Sequence, residues 1–600
     1  MKKFRLISAV LALSSATLFS VNAVAQASPS APIQVIFAGS SAMFADTGYT
    51  ATDNSSTYGQ VCGPYIWTGA SNAASITSGP YIYDSRNSAI LNEPGNVWIS
   101  WNGSANATTV VPTKVCAYIS VDSAVGVRAA MANPTASLVI GNAAGAADAG
   151  KLTALSANAV VTTLPAFIAN LFAPPNGQPI TVGATDVRPE DAKFATVRAL
   201  SALGGALNDP SPYAISNGLN PMGTQLFQTK GLGYASTGNA NIGVSIKSTQ
   251  ANGNVANAVN FATFSQDPFS SNTIDGSWVT VPVGAGPIVF FVNATSTGSG
   301  HLGDGNCTNI NLTSICGALD GTFQRNVDIC EPANIGSTAT PVFGIPVFER
   351  EPLSGTYNTT EFSTAGSFSC FTTQENGVNP TASNGNPMNI PGSISNSYRA
   401  RVITTGEDIK TVGATADALG YAFWGYGNFT SGNHVANLKY LTVNGVDPLY
   451  ANSGTGANPN GQGVFPVGSG TPVTYPTLTF PNINNGTYRI WTTARFLVPN
   501  ISVATGQNAQ AWANIFAQVA QTDAAAVYSD FVPNTSLTVM HDHFYNAWSG
   551  VFNSCTPDAN GVYHPYPTEE GGDMGGDIYS CTQLNDYANT YGVQLQYHHM

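Results

Sequence analysis

The chain has 600 residues and a formal net charge of −13, with 9% charged and 10% aromatic side chains. Proteins that bind nucleic acids need clustered lysines and arginines, so a chain this acidic and this poor in charge excludes that class. The aromatic content is sufficient for a hydrophobic core, which excludes a disordered chain, and the length predicts two to four domain-sized units.

The segment 1–27 has the pattern of a secretory signal peptide. Its start, Met1–Arg5, is positively charged, an apolar stretch continues to Val21, and cleavage is expected after Ala25 or Ala27. Serines and a threonine interrupt the apolar stretch, which is short for a membrane-spanning helix, and no cysteine follows the cleavage region to carry a lipid. We therefore expect a soluble, exported protein in a bacterial periplasm or outside the cell.

The first predicted strand of the mature chain, Ile33–Phe37, runs into a turn of small residues. Gly39, Ser40 and Ser41 form this turn, and an apolar segment that includes Phe44 follows. This order predicts a strand, a tight turn and the start of a helix, with serine hydroxyls at the position that caps a helix N-terminus.

A second strand-to-helix segment is Ile180–Ala192. A short strand ends at Thr185 and Asp186, and Pro189 is placed to open the first turn of a helix. Asp186 would therefore lie at the carboxyl end of its strand, which is where open α/β sheets bind ligands.

The segment around Arg350 carries the strongest signal of a binding site. An apolar run, Pro341–Phe348, predicts a strand, and a helix is expected to start near Tyr357. Ser354 is then a plausible N-cap that leaves the backbone N–H groups of Gly355 and Thr356 free. A helix N-terminus with two hydroxyls and a nearby arginine favours a tetrahedral oxyanion, although an ordinary strand–turn–helix with a surface arginine fits the same residues.

These segments, in this order, resemble the ligand loops of periplasmic phosphate-binding proteins, the solute receptors of phosphate ABC transporters. That family has a glycine-rich first loop that ends near a phenylalanine, as in Gly39–Phe44, and a strand that ends in an aspartate, as in Ala184–Asp186. It also has an arginine followed by Ser-Gly-Thr, as in Arg350 and Ser354–Thr356. Val121–Arg128 is similar to the family's second hydroxyl-capped helix start.

The resemblance implies an exported solute-binding protein that binds phosphate or a related tetrahedral oxyanion, with a transporter permease as partner and without a cofactor, a metal ion or enzymatic activity. It implies the following ligand-binding residues: Gly39, Ser40, Ser41, Ser123, Asp186, Arg350, Ser354, Gly355 and Thr356. The sequence departs from the family at Pro352, where an acidic partner for the arginine is frequent.

The fold implied by the resemblance is α/β, a two-lobed type II periplasmic-binding fold with β- and loop-rich insertions and a C-terminal extension. We expect the first lobe at 31–285, the second lobe at 286–424, a return segment of the first lobe at 425–500 and the extension at 501–600. Further elements are expected from apolar runs: strands at Trp98–Trp101, Lys114–Val121, Trp278–Val283 and Pro287–Val292, and a helix at Asp122–Met131.

The eight cysteines fit an oxidising compartment. They fall into four local neighbourhoods, and we predict these disulfides: Cys62–Cys116, Cys307–Cys316, Cys330–Cys370 and Cys555–Cys581. An even number of cysteines also allows other pairings, and unpaired structural cysteines are the remaining alternative.

Two other functions are compatible with the sequence. Long loops rich in asparagine and glycine, together with the four expected disulfides, also suit a structural or adhesive surface protein that has the same fold and no working site. His541 and His543, which flank Asp542, would lie on one face of a strand and are candidate ligands for the metal ion of a secreted hydrolase.

Overall fold

The computed structural model describes residues 33–53, 61–62, 81–85, 96–109, 111–131, 136–140, 160–161, 163–174, 177–187, 244–247, 278–298, 300–330, 342–350, 354–364, 394–402, 405–429, 435–452, 461–467, 475–499, 503–524, 529–542 and 594–597. The predicted signal peptide lies outside these residues. Among the residues described, no helix is long and apolar enough to cross a membrane.

The strands are, in chain order, β1 (Ile33–Gly39), β2 (Tyr81–Asp84), β3 (Asn96–Trp101), β4 (Val115–Ser120), β5 (Ser137–Ile140), β6 (Val160–Val161), β7 (Gln178–Pro179), β8 (Val182–Thr185), β9 (Val244–Lys247), β10 (Trp278–Asn293), β11 (Asn309–Ile310), β12 (Pro346–Arg350), β13 (Tyr398–Val402), β14 (Leu419–Phe423), β15 (Leu438–Tyr440), β16 (Thr442–Val443), β17 (Trp491–Pro499), β18 (Val532–Pro533), β19 (Val539–Asp542) and β20 (Gln594–Tyr597).

The α-helices are α1 (Phe44–Thr52), α2 (Ser123–Met131), α3 (Ala166–Leu171), α4 (Leu312–Leu319), α5 (Asn326–Ile329), α6 (Gly355–Thr364), α7 (Thr405–Ala414), α8 (Tyr426–Phe429), α9 (Pro481–Asn484) and α10 (Val503–Val519). Short 3₁₀ turns occur at Ser41–Met43, Val435–Asn437 and Asn534–Ser536, and a π-helical turn, Ala520–Ala524, continues α10.

Most strands belong to one mixed sheet in the order β13-β12-β14-β10-β17-β8-β1-β4-β3-β2-β6, with β15 and β18 paired to β10. Two sets of three neighbouring strands are parallel, and we call β8, β1 and β4 the first parallel group and β12, β13 and β14 the second. A separate parallel pair, β2 and β6, lies at the edge of the sheet. Between them, β10 and β17 are antiparallel. Parallel strands end at a common edge, so each group presents a row of carboxyl ends from which helices start.

One strand, β10, joins the two groups. Its first part pairs with β17 and its second part with β14, so the sheet is continuous through it. Residues from later in the chain cross this junction, since Val532 and Pro533 pair with Ala285 and Gly284. A Cβ on Gly284 would lie 2.2 Å from the ring of Phe531, so this crossing requires glycine.

An aromatic core supports the first parallel group. The ring of Phe37 lies 4.9 Å from that of Phe496 and 4.7 Å from that of Phe516, measured between centroids. Phe516 belongs to α10 and also stacks on Trp98 at 6.5 Å. These contacts fix the strand that leads into Gly39 and show that α10, within the segment predicted as an extension, packs on the sheet.

The described structure confirms the mixed α/β class, the strands at Trp98–Trp101 and Lys114–Val121, and the helix that follows Asp122. The two strands expected at Trp278–Val283 and Pro287–Val292 are instead one 16-residue strand, because the glycines between them stay in extended, paired backbone. The strand before Arg350 begins at Pro346, later than predicted. The helix expected at Pro189 lies outside the described residues, and the division into two lobes stays a prediction.

The predicted disulfide Cys62–Cys116 is confirmed, with Cα atoms 6.0 Å apart. The predicted pairs Cys307–Cys316 and Cys330–Cys370 are wrong, because Cys307 pairs with Cys330 at a Cα separation of 5.5 Å. Helices α4 and α5 bring the chain back so that Cys330 Sγ lies 3.9 Å from the carbonyl oxygen of Asn309, beside Cys307. Cys555 and Cys581 lie outside the described residues.

The histidine segment near the C-terminus is described in part. His541 lies on β19, which pairs in parallel with β20 and places His541 opposite Gln596. His543 lies outside the described residues. Within the described ranges, no group of three or more histidine, cysteine, aspartate or glutamate side chains is arranged to hold a metal ion.

Two buried carboxyls lie close enough to interact, one in the first helix and one near it. Asp46 of α1 is fully enclosed, and burial raises its pKa to about 8. Asp530 accepts a 2.7 Å hydrogen bond from the backbone N–H of Tyr426, and its pKa is raised well above the ordinary value, first by burial and also by Asp46. Both carboxyls therefore favour the protonated form in the folded protein.

The raised pKa values of Asp46 and Asp530 predict that the free energy of unfolding falls as the pH rises. The contribution of Asp46 is fully present below its ordinary pKa of 3.8 and is lost as the pH rises to about 8, because the unfolded chain releases the proton and the folded chain retains it. Asp46→Asn mimics the neutral carboxyl, so its free energy of unfolding should exceed that of the wild type at pH 8 and approach it near pH 4. Urea unfolding of both proteins between pH 4 and pH 8 measures these free energies. If the free energy of unfolding of Asp46→Asn changes with pH as steeply as that of the wild type, Asp46 is not the cause of the pH dependence.

Candidate functional site

Five strand ends of the two parallel groups carry the candidate site. In the first group, β1, β4 and β8 end at Gly39, Ser120 and Thr185, and Gly39 lies opposite Ser120. In the second group, Arg350 ends β12 and pairs with Val402 at the end of β13. Helical segments begin shortly beyond four of these ends: Ser41–Met43, α2, α6 and α7. The first backbone N–H groups of a helix lack intrahelical acceptors, so those that no capping group accepts can donate to an anion.

The loop after β1 is held by its own backbone. Ser40 N–H donates to the carbonyl of Ala184 at 2.8 Å, and the Tyr118 hydroxyl donates to the Ser40 carbonyl at 2.5 Å. The Ser40 hydroxyl accepts the N–H of Ala42 at 3.3 Å, which confirms the predicted helix cap. Gly39 has a φ of 149°, and a Cβ there would lie 1.8 Å from the Ala184 oxygen, so only glycine fits.

Asp186 lies at the meeting point of the two groups. Ser123, the first residue of α2, donates a hydrogen bond to Asp186 Oδ1. Gly355, the first residue of α6, lies so close that a Cβ on it would be 1.7 Å from the same oxygen. The second carboxyl oxygen of Asp186, Oδ2, is buried and has no hydrogen-bond partner among the described residues. A buried acceptor of this kind is available to a ligand that carries a proton.

Arg350 is 1% exposed and reaches towards both groups. Its Nη1 donates to the Thr405 hydroxyl at 2.7 Å, and its Nη2 lies 3.4 Å from Asp122 Oδ1. The hydroxyls of Thr405 and Ser41 are 3.4 Å apart, which connects the start of α7 to the loop after β1. The arginine is therefore enclosed by the starts of helices from both sides of β10.

The charges around Asp186 are mixed. Burial raises the pKa of Asp186, while the Ser123 hydroxyl and the positive charges of Arg350 and Arg495 act in the opposite direction. Asp408, on α7, has a pKa raised well above its ordinary value by burial, which Arg350 opposes in turn. Two buried arginines thus act on the same carboxyl group, an arrangement suited to an anion that carries more than one negative charge.

All nine predicted site residues lie at or next to the strand ends and helix starts of the two parallel groups. The first group contributes Gly39, Ser40, Ser41, Ser123 and Asp186, and the second contributes Arg350, Ser354, Gly355 and Thr356. Ser354 has the geometry of an N-cap, since its carbonyl accepts the N–H of Asn358 at 3.1 Å. Ser354 and Thr356 are buried at the start of α6, but no described contact joins their hydroxyls to Arg350.

Three residues of the site were not predicted from the sequence. Arg495 lies opposite Thr185 in the pairing of β17 with β8. Thr405 opens α7, and Asp122 precedes Ser123 and supplies the carboxylate beside Arg350. A single charged residue inside an otherwise uncharged strand, Trp491–Pro499, was the available signal for Arg495.

Comparison with known proteins gave weak likenesses only. The sequence matches no protein-family profile, and no curated protein matches it. A structure of an ABC-type phosphate transport receptor from Vibrio cholerae is 13% identical, with 43% of this chain and 74% of that one covered at a TM-score of 0.25. A phosphate-binding protein from Stenotrophomonas maltophilia is 17% identical, with 46% and 73% covered and a TM-score of 0.25. Likenesses at this TM-score carry no argument about the function of this chain.

Proposed function

We propose that this chain is an exported solute-binding protein that binds phosphate or a related tetrahedral oxyanion between its two parallel groups of strands. The observation that carries the proposal is the convergence of Arg350, Asp186 and the helix starts at Ser41, Ser123 and Gly355. Helix N-termini and a buried arginine are the donors that proteins use for such anions. In this role the protein would deliver its ligand to a transporter permease.

The donors come from both sides of β10, which supports binding between the groups rather than at one loop. An anion held there would contact residues more than 300 positions apart in the chain, such as Ser41 and Thr405, whose hydroxyls already lie 3.4 Å from each other. Binding would therefore tie the two groups together and stabilise the folded protein by mass action.

Asp186 supports phosphate rather than sulfate as the ligand. An ionised carboxylate only accepts hydrogen bonds, and phosphate near neutral pH still carries a proton to donate, whereas sulfate is fully ionised. The buried Oδ2 of Asp186 offers such an acceptor. A site built around this carboxylate should prefer phosphate or arsenate to sulfate.

The substitution Asp186→Asn tests this proposal. Asparagine presents an amide that donates to either anion, so we expect the preference for phosphate over sulfate to fall by roughly tenfold or more, the effect of one charge-assisted hydrogen bond. Isothermal titration calorimetry with both anions measures the ratio. Asp417→Asn is the control, since Asp417 binds His301 and the Leu302 N–H away from the site. Equal affinity of the wild type for both anions would exclude the role given to Asp186.

A further inference from the structure

Asp122 links the two parallel groups through an ion pair with Arg350. The two residues are 228 positions apart, and both are almost fully buried, at 6% and 1% exposure. Asp122 follows β4 of the first group, whereas Arg350 ends β12 of the second. Their contact joins Asp122 Oδ1 to Arg350 Nη2 at 3.4 Å, which is longer than the 2.7 Å bond from Nη1 to Thr405.

Asp122 and Ser123 make complementary contacts from adjacent positions. Asp122 places a carboxylate beside the arginine, and Ser123 places a hydroxyl on the carboxylate of Asp186. The Asp122 carbonyl accepts the N–H of Gly126 at 2.9 Å, so Asp122 is also the residue from which α2 starts. The start of α2 thus places the Asp122 carboxylate beside the Arg350 guanidinium, the charged donor of the proposed site.

We propose that Asp122 is an internal competitor for Arg350, a carboxylate that an incoming oxyanion must displace and that sets the affinity of the site. This inference rests on the proposed function. The carboxylate neutralises a buried guanidinium and so stabilises the fold, but every contact that it makes with Arg350 is one that a bound anion has to replace or share. Asp122 therefore sets the affinity of the site for oxyanions in general, and it lowers that affinity in exchange for stability of the fold.

Asp122→Asn should separate these two effects. Without added anion, the variant should unfold at a lower temperature than the wild type, because Arg350 keeps a buried charge without this partner. Its affinity for inorganic phosphate should rise by roughly tenfold, the effect of removing one competing charge-assisted contact. Saturating phosphate should then raise the unfolding temperature of the variant more than that of the wild type. The affinities for phosphate and sulfate should rise together, since Asp122 acts on the arginine.

The control variants distinguish the effect of losing the Asp122 charge from the effect of disturbing the start of α2. Asparagine and serine are both good N-caps, so Asp122→Ser is a second neutral variant if the first folds poorly, and Asp122→Glu should return the phosphate affinity towards the wild-type value. Asp447→Asn removes a buried carboxylate elsewhere, one that accepts from the N–H groups of Leu449 and Tyr450, and should lower stability without changing phosphate affinity.

Calorimetry with inorganic phosphate on the full exported chain, together with thermal unfolding, decides the matter. Tighter phosphate binding by both neutral variants supports the inference. Unchanged or weaker binding by folded neutral variants overturns it and makes Asp122 a residue that orients Arg350 instead, while the wild type still binds and the proposed function stands. A wild type that binds no oxyanion overturns both.

Discussion

Replacing Arg350 with glutamine should reduce phosphate affinity by about 100-fold, because the change removes a positive charge and a forked donor from a buried site. The side chain is 1% exposed, so water cannot replace it without rearrangement of the helix starts around it. Calorimetric titration of the full chain with inorganic phosphate measures the loss.

Two further variants make the Arg350 result specific. Arg350→Lys keeps the charge but loses the planar fork, so it should bind phosphate with an affinity between those of the wild type and the glutamine variant. Arg325→Gln removes an arginine from a surface pair with Asp328, where the arginine side chain is 49% exposed, and should leave phosphate binding unchanged. An Arg350→Gln variant that is folded and binds phosphate as the wild type does would exclude this arginine from the site.

Replacing Gly355 with alanine should have a comparable effect through shape alone. The added Cβ would lie 1.7 Å from Asp186 Oδ1 and 2.2 Å from its Cγ, so the carboxyl group, α6 or both must move. A displacement of about 1 Å at a buried polar site weakens its contacts on the order of 100-fold, and the same titration with phosphate checks it.

The matched control for Gly355 is Gly305→Ala. Gly305 lies in a surface loop, and a Cβ there meets no atom within 4 Å, so this substitution should change neither folding nor phosphate affinity. Phosphate binding by a folded Gly355→Ala variant with wild-type affinity would show that α6 does not begin at the ligand.

The individual strand-and-turn segments of the site could be predicted from the sequence. Each of the segments at Gly39, Asp186 and Arg350 is a strand that ends in a small or polar turn, and those signals lie within about ten neighbouring residues. The α/β class of the fold was implied by the family resemblance that these segments carry. Ser40 as a cap and Ser354 as the residue before α6 are therefore features of the local chain.

The parts of the site that depend on pairing between strands distant in the sequence could not be predicted. Arg495 reaches the site only because β17 pairs with β8, and Asp122 reaches Arg350 only because β10 joins the two groups. The disulfide partner of Cys307 was predicted wrongly for the same reason. Proximity along the chain favoured Cys316, whereas the packing of α4 and α5 brings Cys330 to Cys307. Register between distant strands is set by packing across the sheet, and one sequence carries little information on it.

The central claim is that Arg350, Asp186 and the surrounding helix starts bind a tetrahedral oxyanion. Isothermal titration calorimetry of the full chain, first stripped of bound ligand by unfolding, dialysis and refolding, tests it with phosphate, arsenate, sulfate and an organic phosphate. We expect one anion bound per chain, with phosphate and arsenate preferred to sulfate. Absence of binding to all four anions at millimolar concentration would contradict the claim.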